Sequence, residues 1–172
     1  MNIFTHSFPV WRDRANVIIG IWIPDFAKTE SGRSERRWEQ LWSKQLSDDS
    51  FELCCIPCFA PHLALGDHVQ PDSGFGRQYA IQRIIKRSGQ VSFQIWFGKA
   101  PKEGISEKVV RELEDLSCLT EWYSEHSLGV SAPDEVVAKE VRRLLQSHED
   151  SGYLEFQTHF GCCHTNLRES GL

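Results

Sequence analysis

The chain has 172 residues and a formal net charge of −5 at pH 7, long enough for one good core or for two small modules that share one. Hydrophobic residues make up 40% and charged residues 25%, which fits an ordinary globular domain and excludes a disordered chain. Residues 1–100 carry 12 Lys/Arg and 10 Asp/Glu whereas residues 101–160 carry 6 and 13, so the second half repels nucleic acid and anionic membrane and attracts a basic partner.

Residues 1–15 read as an N-terminal extension. They hold Pro9, Arg12, Asp13 and Arg14 and lack the apolar stretch of a secretory signal. Val17 to Ile23, the longest apolar run, is far short of the roughly 20 residues of a membrane helix. The expected location is cytoplasmic. There Cys54, Cys55, Cys58, Cys118, Cys162 and Cys163 are expected as thiols.

Residues 16–90 read as a strand-rich, barrel-like half. Asn16 to Pro24 is the first strand, and Ala27 to Arg36 is a polar loop. Arg37 to Leu46, with Trp38, Leu41 and Trp42 as apolar anchors, and Phe51 to Ile56 form a hairpin about Asp48-Asp49-Ser50. A short strand is expected at His68 to Gln70. Tyr79 to Lys86 then alternates, with Tyr79, Ile81, Arg83 and Ile85 on one face. These short strands predict a bent antiparallel sheet or small open barrel.

Residues 91–160 change rhythm. Val91, Phe93, Ile95 and Phe97 share one face of a strand. Ser106 is placed as the N-cap of a helix with the stripe Val109, Val110, Leu113 and Leu116. Leu119 to Glu125 and Leu128 to Ser131 form a strand pair. Pro133 opens a second helix with the stripe Val137, Val141, Leu144 and Leu145, closed by Gly152. Tyr153 to Phe160 is the last strand, and 161–172 is expected to be a flexible tail. The order strand, helix, strand, strand, helix, strand is ferredoxin-like (βαββαβ). The predicted class is α+β.

Four short motifs stand in order: Trp38-Glu39-Gln40-Leu41-Trp42, Ile56-Pro57-Cys58-Phe59-Ala60, Leu65-Gly66-Asp67-His68-Val69 and Arg87-Ser88-Gly89. In order and spacing they resemble the bacterial domain-of-unknown-function family 4265, over most of the chain after Val17. The resemblance implies a fold more than a chemistry. Small, single-domain bacterial families of this kind often look like immunity proteins encoded beside toxin genes, an argument by association.

Few constellations carry chemistry. Cys55-x-x-Cys58 has zinc-knuckle spacing, and His159, Cys162, Cys163 and His164 offer a second group. Against that, cysteines in a strand behave as small hydrophobes, and no metal or cofactor is expected. Cys58 with His62 or His68 could be drawn as nucleophile and base, without a third orienting group. Asp67 and Arg87 could meet as a polar site on the barrel rim, or serve only the turns they sit in. The six tryptophans read as core or interface anchors. No phosphate loop, dinucleotide fingerprint, nucleophile elbow or zinc-protease helix is present.

The expectation is therefore a non-enzymatic, immunity-type protein that occludes the active site of a basic toxin, with no nucleic-acid or membrane partner. The expected acidic contacts are Glu112, Asp115, Glu121, Glu125 and Asp150. The alternatives are a regulatory module holding a small molecule between the two halves, or a zinc-binding or hydrolytic enzyme.

Overall fold

A computed structural model describes residues 2–23, 37–72 and 80–159. The polar loop up to Arg36, the tail 161–172, and with it Cys162, Cys163 and His164, lie outside the described residues. The class is α+β, and the described residues form a six-stranded sheet, a four-stranded sheet and two α-helices.

The N-terminal residues are part of the sheet. β1 (Asn2–Thr5) pairs in parallel with β3 (Arg37–Ser47), and β2 (Val17–Ile23) pairs antiparallel with the same strand. β3 is long enough to take a third partner, β4 (Ser50–Leu53), beyond the end of β1. β4 then pairs with β5 (His68–Asp72), and β5 with β6 (Ala80–Lys86). Among the described residues, the parallel bridge from Gly20 to Ala80 joins β6 back to β2. Strands β2 to β6 thus close into a ring, a fuller closure than the strand pattern suggested.

The interior of the ring is apolar, with Ile19, Ile21, Leu41, Phe51, Leu53, Val69 and Ile81 at its centre. Each such side chain withdrawn from water contributes roughly 1.5–3 kcal/mol. Strict alternation in β6 does not survive. Register shifts against β5 fall between His68 and Val69 and between Gln70 and Pro71. An extra residue on one strand reverses its facing, so Ile81 and Ile84 both pack on the core while Ile85 is exposed. Trp38 of β3 lies across Gly20 of β2, where any β-carbon would collide with its ring, and meets Trp22 edge to face.

The second half has the strand order β10-β7-β9-β8, all antiparallel, with β7 (Val91–Trp96), β8 (Leu119–Ser124), β9 (Ser127–Ala132) and β10 (Glu155–His159). This is the ferredoxin-like arrangement. Helices α1 (Ile105–Asp115) and α2 (Glu135–Asp150) contribute Val109, Leu113, Val141 and Leu145 to one core with Phe93, Ile95, Leu128 and Val130. The N-caps differ from expectation. Gly104, with φ of 75°, caps α1 in place of Ser106. Asp134 caps α2, its side chain accepting from the amides of Val136 and Val137. β4 stops at Leu53, not Ile56, and β10 begins at Glu155, not Tyr153.

Candidate functional site

Between β4 and β5 the chain leaves regular structure, yet residues 54–58, 60 and 63–67 are buried. A buried loop is costly unless every backbone polar group finds a partner. The loop therefore poses a problem of hydrogen-bond accounting, and the buried charges of this protein are its solution.

Three carboxylates serve the loop. Glu39 of β3 accepts from the amides of Cys58 and Phe59 at 2.6 and 3.0 Å. Glu121 of β8 accepts from the amide of Ile56 at 3.0 Å and from Val10 at 3.3 Å. Asp67 accepts from the amides of Ala64 and Ser88 and from the Arg87 guanidinium at 3.1, 2.8 and 3.0 Å. Arg87 also donates to the carbonyl of His62. Tyr123 of β8 donates its hydroxyl to the carbonyl of Ile56 at 2.8 Å. The backbones of Trp11 and Trp42 take the two ends of Cys54.

Glu39 and Glu121 come from different halves, and His6 joins them. Its Nδ1 lies 2.5 Å from Glu121 Oε1 and its Nε2 3.0 Å from Glu39 Oε1. Carboxylates only accept, so both ring nitrogens donate, and His6 is an imidazolium. Burial alone would lower its pKa, but the surrounding groups, Cys55, Glu121 and Glu39, outweigh that and hold it far above the usual histidine range. The Cys55 thiol is itself pushed up by burial, a shift that His6 opposes. Phe4, Phe59 and Tyr123 enclose the group. The side chains of His6, Glu39 and Glu121 are 0%, 0% and 1% exposed.

This arrangement binds the two halves together and is closed to a substrate. The thiols are equally unsuited to attack. Burial raises Cys54 to about 11, and raises Cys55 and Cys58 as well. Cys58 faces Gln94 Nε2 at 3.4 Å, with no base placed on it by His62 or His68. Among the described residues no three His, Cys, Asp or Glu side chains gather to hold a metal ion.

The expected acidic contacts are not gathered into one patch. Glu121 is a correction: it is buried, because its carboxylate is needed by Ile56, Val10 and His6, and it cannot touch a partner. Glu112 is half-buried and paired to His148 at 2.7 Å. Asp115 lies exposed at the end of α1, Glu125 at the β8–β9 turn, and Asp150 at the end of α2. Asp67 and Arg87 do meet, in a pair whose carboxylate is enclosed and whose guanidinium is part-exposed. His6, Glu39 and Tyr123 escaped the sequence reading. The available signal was Glu39 itself, a charge two residues from Leu41 on the inward face of β3.

A closed strand ring and a ferredoxin-like sheet, joined through a buried imidazolium, make this a two-part α+β protein whose polar interior serves its own backbone. The family described as Domain of unknown function (DUF4265) matches residues 39–156, and the chain belongs to that family. A solved structure titled "Novel crystal structure of a hypothetical protein from Neisseria gonorrhoeae" is similar, with a TM-score of 0.67 and 20% identity over 86% of this chain and 96% of that one. At that identity the likeness is one of fold. The search of curated proteins gave no match. No helix among the described residues is long and apolar enough to cross a membrane.

Proposed function

We propose that this chain is a non-enzymatic, immunity-type protein that acts in the cytoplasm by binding a basic toxin and occluding its active site. The observation that carries the reading is where the acidic residues stand. Of the 13 Asp and Glu between residues 101 and 160, Glu121 alone is buried. The rest remain on the outside of the ferredoxin-like half, against 6 Lys and Arg. Such a surface accelerates encounter with a basic partner and disfavours acidic ones. Trp96 and Trp122, 43% and 38% exposed near the same end of the sheet as Glu125, are of the residue type that anchors interfaces. Meanwhile the buried acid–base groups are engaged in holding the loop.

The test is to co-express the chain with the product of each adjacent gene, to find one that arrests growth, and to measure both growth and complex formation. Protection from growth arrest, a complex on gel filtration, and an association rate reduced by Glu125→Lys and Asp150→Lys are expected. No complex together with no protection overturns the reading.

A further inference from the structure

Strand β8 is an outer strand of the four-stranded sheet. β9 lies on one side of it and, among the described residues, no strand pairs with the other. Natural proteins guard such edges with lysine, proline, a bulge or an inward-pointing charge, because the free N–H and C=O groups invite another strand. From Leu119 to Ser124 there is no lysine and no proline. The register with β9 is regular from Leu119 to Trp122 and shifts only beyond that point. The inward charge, Glu121, is already engaged by His6, Ile56 and Val10.

We propose that a basic partner docks on this edge by adding an extended segment of its own as a further strand beside β8. The proposal rests on the reading of the chain as a binder of a basic toxin, and it names the surface used and the form the partner takes. Leu119 and Trp122 are 39% and 38% exposed. Successive side chains of a strand alternate in facing. Leu119 therefore shares the face of Glu121, turned toward the buried loop, while Trp122 stands on the other face, against Phe97. A strand laid along the edge is offered an apolar side chain on each side, in the mode of strand addition.

Charge defines the ends of the incoming segment. Between residues 112 and 138 the chain holds seven Asp and Glu and no Lys or Arg, and β8 runs through that stretch. Glu114 and Asp115 are exposed just before the strand, and Glu125 is exposed just after it. Lysine or arginine at the two ends of an added strand meets acid in either direction of pairing. The same acids disfavour a second copy of this chain as the occupant. Antiparallel pairing of β8 with itself brings Glu125 toward the Glu114 and Asp115 end of the other copy, and parallel pairing sets Glu125 beside Glu125.

The experiment titrates the full chain with a synthetic peptide, a Val-Thr-Val-Thr-Val centre flanked by two lysines at each end, at low ionic strength, followed by amide NMR. Saturable binding with Kd of about 1 mM or tighter is expected, with the largest shifts from Leu119 to Ser124. A control peptide ending in glutamates should bind at least about tenfold more weakly. Leu119→Lys combined with Glu125→Lys should weaken the basic peptide at least about tenfold. Val136→Lys with Glu140→Lys makes the same change of charge at exposed positions of α2, which packs over β9 and β10. That pair should leave binding within about twofold. Unchanged melting of both variants is checked first, and the comparison of the two peptides needs no variant. No saturation, equal binding of both peptides, shifts confined elsewhere, or a folded Leu119→Lys, Glu125→Lys protein that binds as before overturns the proposal, as does a homodimer paired through β8. None of these outcomes touches the toxin reading, which growth protection and complex formation test separately. A complex with a growth-arresting neighbour that the same double variant leaves intact overturns the edge alone.

Discussion

Tyr123 passes Gly129 on the neighbouring strand so closely that a β-carbon on Gly129 would collide with its hydroxyl oxygen and ring. Only this close approach lets the hydroxyl reach the carbonyl of Ile56 in the loop. Gly129→Ala should therefore displace Tyr123 and lose the hydrogen bond. The expected destabilisation is about 1–3 kcal/mol from overpacking, beyond the roughly 1–2 kcal/mol of Tyr123→Phe. Urea titration measures both. Combining Gly129→Ala with Tyr123→Ala should cost less than the sum, because the collision disappears.

Removing the cation at the centre is expected to be worse. His6→Gln leaves Glu39 and Glu121 buried without their shared imidazolium, and breaking a buried pair in this way costs about 3–5 kcal/mol. Denaturation midpoints of His6→Gln and of Glu39→Gln should both fall steeply. A change within measurement error in either would show that the cage is not what joins the halves.

The same group fixes the pH dependence. His6 has a raised folded-state pKa, so its contribution is full below the unfolded histidine value of about 6.5 and declines as pH rises above it. Above about pH 6.5, unfolding free energy should fall with a slope that approaches about 1.4 kcal/mol per pH unit by about pH 7.5, and His6→Gln should flatten that limb. His62 and His159 act on the other side. Burial lowers both, so their contribution is present above about 6.5 and is lost as pH falls.

The thiols give a chemical test of burial. Cys54, Cys55, Cys58 and Cys118 are all buried and free, and burial raises Cys118 to about 11. A thiol reacts as its thiolate. Peptide mapping after iodoacetamide at neutral pH should find these four unmodified in the native protein and modified in urea. Rapid native labelling of Cys55 or Cys58 would mean that the loop opens.

Some of this was legible in the order of residues. Phe93, Ile95 and Phe97 alternate because one sheet face is covered by helices, and the stripes of α1 and α2 repeat at helical spacing for the same reason. The closure of the ring was not legible, since among the described residues it rests on the bridge between Gly20 and Ala80 and no local pattern encodes it. Glu121 read as a surface charge because nothing beside it in the chain marks it as buried. Its partner His6 is 115 residues away, and its other partners are the backbone amides of Ile56 and Val10, groups that nearly every residue has. The bulges that turn Ile81 and Ile84 to the same side are likewise a property of the pairing with β5.

The long span between His6 and Glu121 bears on how the protein is made. All strands of the ring have left the ribosome once Lys86 has, but the acid that completes the imidazolium cage comes from β8. During synthesis the first half must wait with His6 held by Glu39 alone and with Ile56 still lacking its acceptor. A nascent barrel that has not yet received β8 therefore lacks the bonds that close its buried loop.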